Sequence, residues 1–283
     1  MSDPTHLQSI SALAPATDVW FVDIWGVMHN GVAPFASAVD ACVTYRRSGG
    51  RVILISNSPR LRDGVKRQLD GIGVTGEAYD DIVTSGDVSR LLIAAWAGKP
   101  VFHIGPERDK PTFEGLGLTL VPDLDAHGIV CTGLFNDERE TPASYRAVLE
   151  RLALRRVPMI CANPDKTVLR AGRTIPCAGA VAEAYEGLGG SVRYAGKPYG
   201  PIYDAAFALS SGLLGRAADK TRALAIGDGV ATDIEGAVRA GLRSVFIAGG
   251  LHVRAGEDVV GASAALFSNV SFKPDAVMRQ LAW

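Results

Sequence analysis

Five polar residues stand at the ends of short apolar runs. Asp23 closes VWFVD and Ser56 closes RVILIS. Lys197 follows VRYAG, and Asp228 follows ALAIG in the run GDGVATD, with Asp233 five residues on. In open parallel α/β sheets, ligands bind beyond the carboxyl ends of the strands. If these runs are such strands, one rim carries a carboxylate nucleophile, a hydroxyl, a lysine and an acidic pair. That set suits phosphate monoesters, whose negative charge must be neutralised before any nucleophile approaches. Lys197 and a Mg²⁺ ion could supply the positive charge. Mg²⁺ takes a few carboxylates and keeps several waters, which suits Asp23 and Asp228. Asp233 could order a metal-bound water or hold Lys197. A carboxylate can attack phosphorus to form an aspartyl phosphate, and Ser56 with the amides after it could bind the phosphoryl oxygens.

Singly, each residue has a plainer explanation. Asp23 suits a turn, Lys197 a solvated surface, and Asp233 the first turn of a helix, where an anion is favoured. Ser56-Asn57-Ser58-Pro59 is a good turn by composition. The case rests on the combination and its order along the chain.

The elements that must position these residues alternate in type. Val19–Asp23, Arg51–Ser56, Val101–Ile104, Gly128–Cys131, Met159–Cys161, Val192–Tyr194, Ala223–Ile226 and Ser244–Ile247 read as strands. Helical patterns fall between them: Ala36–Ser48 closed by Gly49-Gly50, Leu61–Leu69 closed by Gly71, one capped by Ser85, and one opened by Thr141-Pro142. Alternating strand and helix predicts parallel sheets wrapped by helices. The strands are too many for one sheet, so two α/β domains are expected, one inserted in the other.

Composition narrows the function classes. The chain has 283 residues, 47% of them hydrophobic, and a formal net charge of -1, with no basic block. Nothing there favours nucleic acid or an anionic membrane surface. The four cysteines, Cys42, Cys131, Cys161 and Cys177, are widely spaced and form no zinc pattern. No apolar run approaches the roughly 20 residues of a membrane span, and the first residues lack a signal-peptide pattern. A soluble cytoplasmic protein is expected.

DIWGV, ISN, GKP and GDGVATD occur in that order, and the chain thereby resembles the haloacid dehalogenase-like (HAD) superfamily. GDGVATD, which fits the family form G-D-x-x-x-T-D, is the most specific of the four. The stretches Gly31-Val32-Ala33-Pro34, ISNSPR and Ala162-Asn163-Pro164-Asp165 resemble the class IIA, NagD-like branch. The resemblance implies a Rossmann-like doubly wound core, 1–86 and 179–283, carrying an inserted α/β cap at 87–178. It implies the nucleophile at Asp23, the phosphate-binding hydroxyl at Ser56 and the lysine at Lys197. It implies Mg²⁺ held by Asp23, the backbone carbonyl of Trp25 and Asp228, with Asp233 in support.

One position departs from the pattern. Two residues after the nucleophile, family phosphatases carry a second Asp that protonates the leaving group and then activates water. Here the residue is Trp25. A general acid is worth about 10²–10⁴ in rate. Three explanations compete. The first is a phosphatase that copes, through a good leaving group or through His29. The second is dehalogenase-like chemistry, in which halide leaves unaided, although GDGVATD keeps a metal site that such chemistry does not need. The third is a non-catalytic phosphate- or metabolite-binding protein.

The cap should choose the substrate, with Asn57, Asn163 and Asp165 as candidate contacts and Lys166, Arg170 and Arg173 near them in sequence. A small phosphorylated metabolite is expected. Sugar phosphates, pyridoxal phosphate, nucleotides and glycerol phosphate all fit. The oligomeric state is open, a homodimer included.

Overall fold

The computed structural model describes residues 4–170, 172–249, 253 and 257–283. The strands, in chain order, are β1 (Thr5–His6), β2 (Val19–Asp23), β3 (Arg51–Ser56), β4 (Asp81–Thr84), β5 (Pro100–Ile104), β6 (Thr119–Leu120), β7 (Gly128–Cys131), β8 (Met159–Cys161), β9 (Thr167–Arg170), β10 (Arg173–Pro176), β11 (Val192–Tyr194), β12 (Ala223–Gly227), β13 (Arg243–Ile247) and β14 (Ala276–Met278). They divide between two compact units. The first comprises Met1–Ser56, Asp63–Val83 and Lys197–Trp283, and the second Asn57–Arg62 and Thr84–Gly196.

The first unit is built on a seven-stranded sheet in the order β1-β14-β13-β12-β2-β3-β4. The central pairings, β13 with β12, β12 with β2 and β2 with β3, are parallel. Every residue of β2 and β12 is buried, as near-continuous apolar runs require when both faces of a sheet are covered. Helix α1 (Ala36–Arg47) turns Ala38, Ala41, Cys42 and Tyr45 inward, the spacing of an amphipathic helix. Tyr45 stacks on Trp20 of β2 with ring centroids 3.7 Å apart. The Trp20 indole N–H donates to Thr17 Oγ1, which also meets the Tyr45 hydroxyl, at 3.0 and 2.9 Å. This lock holds β2 against α1 at the end of the strand opposite Asp23.

The second unit has a five-stranded sheet, β11-β8-β7-β5-β6, with every pairing parallel, and a separate antiparallel hairpin of β9 and β10. Ile93, Val101, Phe113, Val130 and Ile160 form part of its core. The unit runs to Gly196 rather than stopping at 178, because β11 lies beside β8 with Val192 opposite Met159. It also takes in 57–62 and 84–86. The Gly86 N–H donates to Ser58 O at 3.0 Å, and a Cβ on Gly86 would lie 2.2 Å from Pro59 O. Thr84, rather than Ser85, caps the next helix, accepting from the Asp87 N–H at 2.9 Å. Among the described residues no helix is long and apolar enough to cross a membrane.

Candidate active site

The register of the first sheet assembles the site. Val22 stands opposite Ile226, and Asp23 opposite Ile55. Asp23 therefore emerges beside the end of β12, one residue short of Asp228, and Ser56 comes one residue beyond Ile55. Lys197 enters from the segment before the helix Gly200–Leu214. Its ammonium donates to Asp23 Oδ1 at 2.5 Å and to Asp233 Oδ1 at 2.7 Å, with Ile55 O at 3.4 Å. Asp23, Lys197, Asp228 and Asp233 are all buried. The second oxygen of Asp233 accepts from the Gly229 N–H at 3.0 Å and from the Thr232 hydroxyl at 3.3 Å. Asp233 thus accepts from the lysine with one oxygen and from its own loop with the other.

Three carboxylates, Asp23, Asp228 and Asp233, offer oxygens that all lie within 4.8 Å of one another. With one lysine among them the set carries two negative charges when fully ionised. Burying such an excess is costly unless a cation balances it. Burial, followed by the charge of Asp233, raises Asp23 from an ordinary 3.8 to about 7, against the opposing pull of Lys197. Burial and the charges of Asp23 and Asp233 raise Asp228 to about 9. For Lys197, burial acts against the charge, but the two carboxylates outweigh it and keep the ammonium protonated.

Asp228 Oδ2 is buried without a hydrogen-bond partner among the described residues. The backbone of Gly26 presses against it, with φ +85° and a position where a Cβ would lie 1.9 Å from that oxygen. Any side chain there would fill the space in front of the carboxylate. An orphaned carboxylate oxygen, two charges of the same sign nearby and an all-oxygen donor set fit a hard divalent cation such as Mg²⁺.

The loop after β2 folds back on itself. Trp25 bridges to His29, and the Gly26 N–H donates to His29 O at 2.9 Å. The Trp25 side chain is half-buried, with its indole nitrogen 3.5 Å from where a Cβ on Gly31 would stand. His29 is buried, and its Nδ1 accepts from the Gly31 N–H at 2.8 Å. Burial lowers its pKa. The imidazole is a neutral ring tied into its own loop.

In the second unit, Asn57, Asn163 and Asp165 come together. The Asn57 amide donates to Asp165 Oδ1 at 2.8 Å, and Asn163 Oδ1 accepts from the Asp165 N–H at 3.0 Å. A Cβ on Gly196 would lie 2.4 Å from Asn57 Oδ1 and 2.8 Å from Pro164, so only glycine admits this packing just before Lys197. Arg170 is held by both oxygens of Asp137, and Lys166 by Glu183 at 2.6 Å. Sequence reasoning assigns no part to Gly26, Gly229 or Thr232. The threonine stands in the GDGVATD run, but the Gly26 approach is a tertiary contact that no local pattern signals.

Comparison with known proteins bears on this arrangement. The family model for haloacid dehalogenase-like hydrolases matches residues 20–119, and a HAD-hydrolase-like model matches 194–282. A crystal structure of a hydrolase of the haloacid dehalogenase-like family from Brucella suis 1330 is 47% identical with a TM-score of 0.83, over 87% of this chain and 94% of that one. The chain belongs to the haloacid dehalogenase-like hydrolase family. Within the family it is 27% identical to D-glycerol 3-phosphate phosphatase of Mycobacterium tuberculosis, over 86% of this chain and 66% of that protein's length. The solved glycerol phosphate phosphatase of that organism in complex with magnesium is 25% identical, with a TM-score of 0.72 over 96% of this chain and 76% of that one.

The raised carboxylates set a proton linkage. The folded, metal-free protein holds protons on Asp228 and Asp23 that the unfolded chain releases near 3.8. Native stability without metal should therefore fall as pH rises from about 4 towards 9. A bound divalent cation must expel those protons, so its affinity should rise with pH, by about tenfold per unit for each proton released. Thermal melts from pH 5 to 9, with and without Mg²⁺, check both signs. A Mg²⁺-induced gain in Tm that stayed flat across that range would contradict the linkage.

Proposed function

We propose that this chain hydrolyses a small phosphate monoester through an aspartyl phosphate formed on Asp23. The observation that carries the reading is the placement of a buried lysine 2.5 Å from the Asp23 carboxylate, beside an Asp228 oxygen left without a partner. Lys197 keeps Asp23 aimed and lends positive charge to the incoming phosphoryl group. Asp233 fixes Lys197, and is itself fixed by Gly229 and Thr232. Ser56, one residue beyond the pairing of Asp23 with Ile55, offers its hydroxyl to a phosphoryl oxygen. Asp23, Asp228 and the Trp25 carbonyl, with Asp233 behind them, would hold Mg²⁺, which supplies charge neutralisation at the phosphoryl oxygens when bound. Asn57, Asn163 and Asp165 are the proposed contacts to the organic part of the substrate, within a cap formed by the inserted unit.

The relative from Mycobacterium tuberculosis is a phosphatase of glycerol 3-phosphate, which supports phosphate ester hydrolysis as the reaction type. A sugar phosphate or a similar small metabolite is the proposed substrate. The four cysteines are free and buried, in keeping with a reducing cytoplasm.

Release of inorganic phosphate from a panel of phosphate esters, in Mg²⁺ and in chelator, tests the reading. Metal-dependent release from at least one ester is the expected result. Absence of release from every ester, with binding of phosphate retained, would instead make the chain a binding protein.

A further inference from the structure

The amino ends of the strands in the first sheet frame a cleft of about 570 Å³. Asp18 immediately precedes β2, Arg222 immediately precedes β12, and Gly49-Gly50 lead into β3. The cleft is remote from the carboxylate cluster. Asp23 stands at the far end of β2, about 17 Å from Asp18 along an extended strand. The volume falls within the range of about 300–1,000 Å³ that small-molecule sites occupy.

The charged residues lining the cleft are Asp18, Arg216 and Arg222, so two positive charges meet one negative. Arg222 Nε donates to Asp18 Oδ1 at 2.9 Å, and its Nη2 lies 2.8 Å from the same oxygen. Arg216, just past the helix Gly200–Leu214, donates from Nη2 to Asp18 Oδ2. The Arg222 hydrogen bond, joined by Arg216 and working against burial, holds the Asp18 carboxyl below its usual 3.8. Asp18 therefore stays ionised. One arginine would balance that charge. The second makes a pair of like-charged forks that a single carboxylate holds together. The arginine side chains remain 53% and 42% exposed, against 15% for Asp18. They bring an excess positive charge to the cleft in a set orientation, the arrangement that bidentate recognition of an oxyanion uses.

Apolar residues complete the lining: Ala14, Pro15, Leu214 and Trp283. Trp283 is 43% exposed, with its ring centroid 6.4 Å from that of Trp20. Thr17 and Tyr45, also in the lining, belong to the lock that holds β2 against α1. Gly50 lies against the Tyr45 ring, where a Cβ would stand 2.3 Å from it. A paired guanidinium beside an exposed indole, over a packed floor, suits a ligand with an anionic group and a flat apolar body.

We propose that this cleft is a second ligand site, separate from the one at Asp23, for a small organic anion with a flat ring. The anionic group, a carboxylate or its phosphate or sulfonate equivalent, meets Arg216 and Arg222, and the ring lies against Trp283. The site needs neither Mg²⁺ nor Asp23.

The test is calorimetric titration of the natural chain, in chelator, with 2-naphthoate, with its uncharged amide and with acetate. We expect saturable binding of naphthoate, at least about tenfold tighter than that of either control. Arg216→Gln should weaken naphthoate by about tenfold and leave the amide as it was. Trp283→Ala should weaken naphthoate several-fold through loss of the ring contact. Mg²⁺ and inorganic phosphate, added together, should leave the naphthoate Kd unchanged. If either variant does not fold, the comparison of naphthoate with its amide and with acetate on the natural chain still decides. The inference would be overturned by an amide or acetate that binds as tightly as naphthoate, by an Arg216→Gln chain that binds naphthoate undiminished, or by displacement with Mg²⁺ and phosphate. Absence of saturable naphthoate binding would overturn it too.

Discussion

Asp23→Asn should release no measurable inorganic phosphate from any ester that the natural chain hydrolyses, a loss of about 10⁴-fold or more. Asparagine keeps the shape of the side chain, and its amide oxygen can still accept from Lys197, which now lies 2.5 Å from Asp23 Oδ1. What disappears is the anionic oxygen that would bond to phosphorus. The substitution also removes one of three carboxylates from the cluster, so Mg²⁺ should bind more weakly. The two effects separate by method. Intact-mass measurement after quenching with acid should find the phosphoryl group on the natural chain and none on the variant, at Mg²⁺ concentrations that saturate both. Undiminished Mg²⁺-dependent release by the variant would remove Asp23 as nucleophile.

The parts of this site that are legible in the sequence share one physical property. β2, β3 and β12 lie between covered faces, so their runs VWFVD, RVILIS and ALAIG are apolar almost without a break, and a polar residue at the end of such a run stands out. Parallel pairing then brings the strand ends, and the polar residues they carry, to one rim. Elements without that property are not legible. β1 and β6 have two residues each, and all four are exposed, which leaves no periodicity to read. The hairpin β9–β10 faces solvent along most of its length. The sequence places the end of the inserted unit too early, at 178, because β11 is three residues long, and only its pairing with β8 assigns it to the second unit. Around Asp233 the backbone makes a wide turn, with the Ile234 N–H reaching Gly229 O at 3.0 Å, where the sequence suggests a plain helix start. The turn lets Asp233 fold back under Gly229, and no side-chain pattern announces it.

Lys197→Met tests the charge balance of the cluster from the opposite side. Methionine fills a similar volume but leaves Asp23 and Asp233 facing one another without the ammonium now 2.5 and 2.7 Å away. Removing one member of a buried ionic set typically costs about 3–5 kcal/mol, and loss of a preorganised charge at a reacting centre about 10²–10³ in kcat. The pH dependence separates this account from a simple packing defect. Lys197 pulls the Asp23 pKa down, against burial and Asp233. Without it that pKa rises further, and the folded variant binds a proton over a wider range than the unfolded chain does. Its stability should therefore fall more steeply with rising pH, so the deficit against the natural chain is smallest near pH 5 and grows towards pH 8. Lys197→Arg, which restores the charge, should recover most of the stability at pH 8 but less of the activity, because a planar fork cannot take the ammonium's place between two carboxylates without moving one of them. A deficit of the same size at every pH would mean that Lys197 acts by volume alone, and that the electrostatic reading of this site is wrong.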